Sequence, residues 1–362
     1  MNDITINIIK IFSIGFLSFV FALIITPTII HFLYKHRLWK KNTKKNAIDG
    51  GDINYFRKFH SKKELKTPRL GGIIIWISVL FIIFLFHFLA TYTDYYWINK
   101  FNFLSREQTW LPLFALVAAS LVGLTDDLMQ VIEPKKQKIK KFFGNGLLLR
   151  YRLLLVALIG LISASWFYFR LEQNTIYIPF SGEISLGIFF IPFFIIVMIA
   201  IYSGGVIDGI DGLSGGVFAS IFTAYTAIAL FQNQINLATF CIAIVGGVLA
   251  FLWFNIPPAR FYIGETGIIG LTVTLTVVAF LTNAVIVLPI IAILLIITSI
   301  SVILQLISKK ILSKKIFLAA PLHHHFEAMG WPSYKITMRF WVLSVIAAIL
   351  GVAIHLISMT II

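Results

Sequence analysis

The chain has 362 residues, of which 59% are hydrophobic and 12% charged, and it carries a formal net charge of +15. So little polar surface cannot cover a soluble globule of this size, which excludes a water-soluble protein and leaves one integral membrane domain as the default. The excess of Lys and Arg is expected to set membrane orientation and attract anionic lipid headgroups, with direct binding of an anionic substrate as the competing role. Membrane lipid is therefore the expected partner, and nucleic acid is not.

Apolar stretches of about 20 residues, enough to cross roughly 30 Å of hydrocarbon as helices, recur along the whole chain. The first, 6–34, runs far past the apolar core of a signal peptide and lacks a basic leader and a small-residue cleavage pattern, so it is read as a retained span. A strongly basic segment follows, ending in Lys66-Thr67-Pro68-Arg69-Leu70-Gly71-Gly72, before the second span at 70–91. The third span, 109–125, is closed by Asp126-Asp127, and a second basic loop begins at Lys135-Lys136. Adjacent carboxylates at the lip of a span are expensive to place, so they point to a cation, a proton transfer or a phosphate site rather than to packing.

After the fourth span, 152–170, the segment from Thr175 to Leu186 alternates and turns at Ser181-Gly182, which predicts a short hairpin. The fifth span, 187–203, leads into Ser203-Gly-Gly-Val-Ile-Asp208-Gly-Ile-Asp211-Gly-Leu-Ser-Gly-Gly216, where glycines let backbone approach a ligand and two aspartates stand three apart. Spans six and seven, 214–231 and 236–254, include the only cysteine, Cys241, so no intrachain disulfide is available and the thiol is read as a packing residue. Next come Asn255-Ile-Pro-Pro-Ala-Arg-Phe261-Tyr262-Ile-Gly264-Glu265-Thr-Gly267, where Glu265 is either a hard oxygen ligand for Mg²⁺ or the acidic cap of the following helix. Spans eight and nine, 267–282 and 286–307, are separated only by the polar break Thr282-Asn283. Beyond them, Pro321-Leu-His323-His324-His325-Phe326-Glu327 precedes the tenth span at 338–361. Three consecutive histidines cannot all face one metal from a regular element, so phosphate contacts or proton handling suit them better than a closed zinc site.

Lys and Arg crowd the loops after the first, third and ninth spans, whereas the loops after even-numbered spans hold only Lys100, Arg106 and Arg170. The positive-inside rule then makes the odd loops cytoplasmic and puts both termini outside, with the hairpin periplasmic. The expected fold is an all-α polytopic membrane protein of about ten helices. On that topology Asp126, Asp127, Asp208, Asp211, Glu265, His323, His324, His325 and Glu327 all fall on the cytoplasmic side. The loops 35–69, 126–151, 204–213, 255–266 and 308–337 would form the active face of a single domain. A transporter could also hold carboxylates in a polytopic domain, but its substrate site would sit near the midplane, often within repeats and broken helices, and no repeat is visible.

At these motifs the chain resembles the phospho-N-acetylmuramoyl-pentapeptide transferases of the polyprenyl-phosphate sugar-1-phosphate transferase superfamily. The similarity covers almost the whole chain: Lys66 to Gly72, Asp126-Asp127, the Asp208-Gly-Ile-Asp211-Gly-Leu loop, Phe261 to Gly267, Gln305, and Lys314 through Trp331-Pro332, with the Pro321 to Glu327 stretch the most specific. The resemblance implies an enzyme of the bacterial inner membrane that moves phospho-MurNAc-pentapeptide from UDP to undecaprenyl phosphate with Mg²⁺. It implies Asp126 as base or orienting group for the lipid phosphate with Asp127 beside it, and Glu265 at the metal. Asp208, Tyr262, Asn255 and Gln305 would line the uridine side, His324 and His325 would meet phosphate or sugar, and Lys66, Thr67 and Asp211 complete the substrate-binding set. Direct attack and a covalent aspartyl route both remain open, and an exposed apolar face leaves room for a homodimer.

The chain also departs from the family pattern. The family usually has aspartate at Glu265, asparagine at Tyr202 and Gly205, lysine at Gln130 and serine at Ile268. The Lys-Thr-Pro-Arg-Leu-Gly-Gly stretch looks closer to the N-acetylhexosamine-1-phosphate branch, which is the alternative activity.

Overall fold

The computed structural model describes residues 3–39, 67–104, 108–132 and 146–361. Ten helices in it are long and apolar enough to cross a membrane, as the sequence predicts. We label the helices α1 (Asp3–Lys35), α2 (Ile73–Tyr92), the short α3 (Tyr96–Phe101), α4 (Trp110–Val131), α5 (Leu149–Arg170), α6 (Phe190–Ser203), α7 (Leu213–Phe231), α8 (Ile235–Asn255), α9 (Gly264–Leu281), the short α10 (Leu288–Ile291), α11 (Ile293–Leu312), the short α12 (Leu322–Ala328) and α13 (Ser333–Ile361). The polar break at Thr282-Asn283 is a turn with Asn283 at positive φ, so α9 and α11 are separate spans.

Between α5 and α6 lies the expected hairpin, β1 (Thr175–Ile178) paired antiparallel with β2 (Gly182–Ser185), Tyr177 opposite Glu183. Phe180 and Gly182 take positive φ at its turn.

Helices α7, α8 and α9 are the most enclosed and form the centre, while α13 is the least enclosed. Apolar side chains do not drive helices together when the surroundings are equally apolar, so close packing of small residues carries the association. A Cβ on Gly246 of α8 would meet the Gly15 carbonyl oxygen of α1 at 2.3 Å, and one on Gly270 of α9 would meet Ser120 Oγ of α4 at 2.2 Å. A second core joins α5 and α6 to α9 through Phe167, Phe190, Phe194 and Phe280, whose rings pack 4.3 to 6.2 Å apart, with Leu111, Ala115 and Ala119 of α4 in the same cluster.

One expectation needs correcting. The third span does not stop before the aspartates: α4 continues to Val131, so Asp126 and Asp127 belong to its last turns and are not loop residues. The expected loop 126–151 is thus helical at both ends, with α5 beginning at Leu149. The histidine stretch is likewise helical, forming α12.

Candidate active site

Asp126 and Asp127 are 1% and 0% exposed, too deep for a surface loop and packed against the start of α9. The approach requires Gly123, where a Cβ would fall 2.2 Å from the Glu265 carbonyl oxygen. Asp127 Oδ2 accepts the Thr266 backbone N–H at 3.0 Å. That amide lies in the first turn of α9, so a carboxylate from α4 caps the N-terminus of α9 and meets its positive dipole end. Gly264, at φ +71°, opens this turn; a Cβ there would lie 2.4 Å from Asp127 Oδ2, so glycine meets both the backbone and the spatial demand. The second carboxylate oxygen, Oδ1, is buried with no hydrogen-bond partner among the described residues.

Asp126 is held differently. Its Oδ1 accepts the Leu147 backbone N–H, and its Oδ2 accepts Gln130 Nε2 at 2.9 Å. Gln130 Oε1 in turn accepts Arg69 Nη1 at 3.3 Å, so the residue standing at the expected lysine position links an arginine of the Lys66–Gly72 motif to Asp126. Glu265, in the first turn of α9, accepts Arg152 Nη1 at 2.5 Å, and the same nitrogen lies 3.7 Å from Asp126 Oδ2. Arg152, in the first turn of α5, therefore bridges two carboxylates from α4 and α9. Tyr202, on α6, lies within electrostatic reach of Arg152, Glu265 and Asp126.

The second half of the site is built by the Asp208 loop and α12. The Asp208 side chain reaches solvent, yet the protein packed around it pushes its carboxyl up to about 6, against the Ser214 hydroxyl that donates to Oδ1 at 2.9 Å and the nearby Arg69 charge. A Cβ on Gly209 would lie 2.1 Å from His323 Nε2 and 2.8 Å from His324 Nε2, so the loop lies directly on the histidine helix. His324 Nδ1 is 2.7 Å from Glu327 Oε2, and Glu327 Oε1 also accepts the Ser333 hydroxyl at 2.6 Å. A carboxylate so held orients the imidazole and leaves its Nε2 toward the Asp208 loop. His325 Nδ1 accepts the Leu318 N–H at 3.1 Å, which places the proton of its neutral ring on Nε2. Arg69 and Glu265 act electrostatically on both Asp127 and Asp208, which joins the two halves.

Other residues expected at the substrate make hydrogen bonds to the backbone. Asn255 is 3% exposed, accepting the Gly212 N–H and donating to the Phe261 carbonyl, both at 2.8 Å. Gln305 accepts the Ile316 and Phe317 N–H groups at 3.1 and 2.9 Å and donates to the Phe317 carbonyl at 3.0 Å. With both amide ends bonded to backbone, these two side chains are clips that shape the Asp208, Phe261 and pre-histidine loops. Asp211 Oδ2 accepts the Ala259 N–H at 3.1 Å, bracing the same loops. Tyr262 exchanges backbone hydrogen bonds with the Lys66–Gly72 motif, its N–H to the Pro68 carbonyl at 2.9 Å and its carbonyl from the Gly71 N–H at 2.8 Å. Thr67 is buried beside it, and Lys66 lies outside the described residues.

Two of the departures are one structural event. A Cβ at Gly205 would lie 2.4 Å from Ile268 Cγ2, so the isoleucine fills the volume a side chain at 205 would take. The residues missed from sequence, Arg152, Arg69, Ser214 and Glu327, act through partners far away in the chain or, for Ser214 and Glu327, only once a turn is formed. The one available signal was a charged residue at the mouth of a span.

A membrane bundle with paired buried carboxylates, a carboxylate at a helix N-terminus and an oriented histidine at one end defines a membrane-embedded transferase, and the Glycosyl transferase family 4 model matches residues 109–283. The phospho-N-acetylmuramoyl-pentapeptide-transferase of Geobacillus sp. (strain WCH70) is 32% identical over 348 residues, covering 94% of this chain and 96% of that protein. Those of Clostridium perfringens (strain 13 / Type A) and Pelagibacter ubique (strain HTCC1062) are each 32% identical, over 93% and 81% of this chain and 96% and 81% of their own lengths. The chain belongs to the phospho-N-acetylmuramoyl-pentapeptide-transferase family of enzymes.

Proposed function

We propose that the chain transfers phospho-MurNAc-pentapeptide from its UDP-linked donor to undecaprenyl phosphate, giving the lipid-linked product and UMP, at the cytoplasmic face of the bacterial inner membrane. An oxygen of the lipid phosphate forms a bond to the sugar-linked phosphorus of the donor, the bridging P–O bond breaks, and UMP leaves with that electron pair. The observation that carries this reading is the buried Asp126–Asp127 pair set against Glu265 and Arg152, with His324 held by Glu327 at the same end of the bundle. The distribution of Lys and Arg supports placing this end, and the loops 35–69, 126–151, 204–213, 255–266 and 308–337 that form it, in the cytoplasm.

The residues present fit a Mg²⁺ ion. It typically takes one or two protein carboxylates and completes its shell with water and phosphate oxygens. Asp127 Oδ1 is a buried carboxylate oxygen without a partner among the described residues, and Glu265 is 25% exposed with one oxygen committed to Arg152. Asp127 and Glu265 would hold the ion, which when bound neutralises the diphosphate. Asp126, anchored by Leu147 and Gln130, orients the lipid phosphate. His324 and His325 donate from Nε2 toward phosphate or sugar, and Arg69 and Arg152 screen the charge spread over the transferring group. Asp208 takes the uridine side.

Purified protein with Mg²⁺ is expected to release UMP from UDP-MurNAc-pentapeptide only when undecaprenyl phosphate is added. Release from UDP-GlcNAc instead would move the assignment to the N-acetylhexosamine branch, and release from neither donor would refute it.

A further inference from the structure

Arg152 is an unusual structural arginine. A guanidinium that serves only to tie two elements together uses its fork, placing two parallel N–H groups on one carboxylate. Here one nitrogen, Nη1, serves both Glu265 at 2.5 Å and Asp126 at 3.7 Å, while Nε is buried with no hydrogen-bond partner among the described residues. The side chain is 18% exposed at the mouth of the site and Glu265 is 25% exposed, so both can be reached from solution. An arginine held through Nη1, with Nε unspent among the described residues, keeps two carboxylates from facing each other uncompensated and can exchange partners.

Resting on the transferase reading, we infer that Arg152 is a positioning residue that competes with the divalent cation for Glu265, neutralising the carboxylates in the metal-free chain and turning to the nucleotide's diphosphate once the metal is bound. Arg152 and the metal are then antagonists at Glu265, while Arg152 and the nucleotide are partners. The exchange gives each carboxylate a counter-charge at every stage, which a buried acidic cluster needs.

The test is Mn²⁺ binding to the full-length protein in detergent, without nucleotide, read from the loss of the free-ion paramagnetic resonance signal. Arg152→Gln is expected to bind Mn²⁺ about fivefold or more tighter than the unchanged chain, the lower range of typical coupling between sites. Arg152→Lys should fall between them, and Glu265→Gln should weaken binding in either background. A second readout needs no variant: phenylglyoxal modification of Arg152, followed by mass spectrometry, should speed up when Mg²⁺ is added and slow when UDP-MurNAc-pentapeptide follows. Binding by Arg152→Gln no tighter than by the unchanged chain overturns the proposal, as does labelling indifferent to Mg²⁺; if Arg152→Gln does not fold, labelling decides. Neither readout requires turnover. A chain that exchanges Arg152 but releases no UMP refutes the transfer reaction alone, and one that releases UMP with Mn²⁺ affinity unmoved by Arg152→Gln refutes the exchange alone.

Discussion

At the hairpin end of the bundle, Gln232 donates to the Thr282 carbonyl at 2.7 Å, Gln234 to the Leu281 carbonyl at 3.0 Å, and Asn283 accepts the Tyr177 N–H at 3.0 Å. These neutral amides close helix ends against one another, as buried polar groups must be closed. At the opposite end Asn255 and Gln305 do the same work, but within the frame they make stand the charged Asp126, Asp127, Glu265 and Arg152, with Asp127 Oδ1 and Arg152 Nε buried and unpartnered among the described residues. Both ends solve the problem of terminating helices in a membrane. Among the described residues, only one also keeps a buried carboxylate oxygen and a guanidinium N–H unspent, at a cost to stability that packing alone does not require. The difference separates scaffold from site better than polarity does, since polar residues mark both.

Substitutions can break or sharpen this contrast. The largest effect is expected at Asp127. Asp127→Asn retains an oxygen for the Thr266 N–H but removes the charge, so UMP release should fall about a thousandfold, while the thermal unfolding temperature holds or rises. A drop in both would return Asp127 to the scaffold. Next, Gly205→Asn should destabilise by about 2 kcal/mol through overpacking against Ile268, and Ile268→Ser should recover most of the loss; a purely additive double variant in denaturation would show that the two departures are unconnected. Gln305→Ala strands two N–H groups and a carbonyl and should cost about 2 kcal/mol with the nucleotide KM of the folded enzyme unchanged. A raised KM at unchanged stability would make Gln305 a ligand after all. Asn283→Ala, at the hairpin end, should cost about 1 kcal/mol and leave turnover untouched.

The smallest effect concerns pH. Enclosure raises the Asp208 carboxyl to about 6, so activity that needs its anion should fall as pH drops through that value. The Ser214 hydroxyl favours the anion, so Ser214→Ala should move the acidic limb of the rate profile to higher pH by a few tenths of a unit, roughly the worth of one such bond offset by water. A limb that stays in place would show that another group sets it. The linked effect on stability runs the other way. The folded chain holds this proton more tightly than the unfolded chain, so the contribution of Asp208 to stability declines as pH rises from the ordinary carboxyl range through about 6.

Much of the molecule was legible along the chain. Ten spans follow from apolar length, because a helix satisfies its own backbone and needs only enough residues to cross the hydrocarbon. The hairpin follows from alternation and the Ser181-Gly182 turn, both local. The acidic, histidine and glycine motifs that carry the family resemblance are also local, and their concentration at one end follows from the parity of the spans. The sequence could not say where α4 ends, since apolarity stops at Leu124 while hydrogen bonding continues to Val131. Nor could it divide polar side chains into ligands and clips, because Asn255 and Gln305 are spent on backbone groups whose position depends on loop folding.

What the sequence by itself determined is therefore the membrane class, the span count and the inventory of ionisable groups, all quantities of composition and short-range order. What only the tertiary structure decided is how those charges are paired: Asp127 with the start of α9, Asp126 through Gln130 with Arg69, and Arg152 between Asp126 and Glu265. The physical reason is distance. Coulomb and hydrogen-bond energies act over a few ångströms in space, and residues 113 positions apart reach that range only when the helices carrying them have packed.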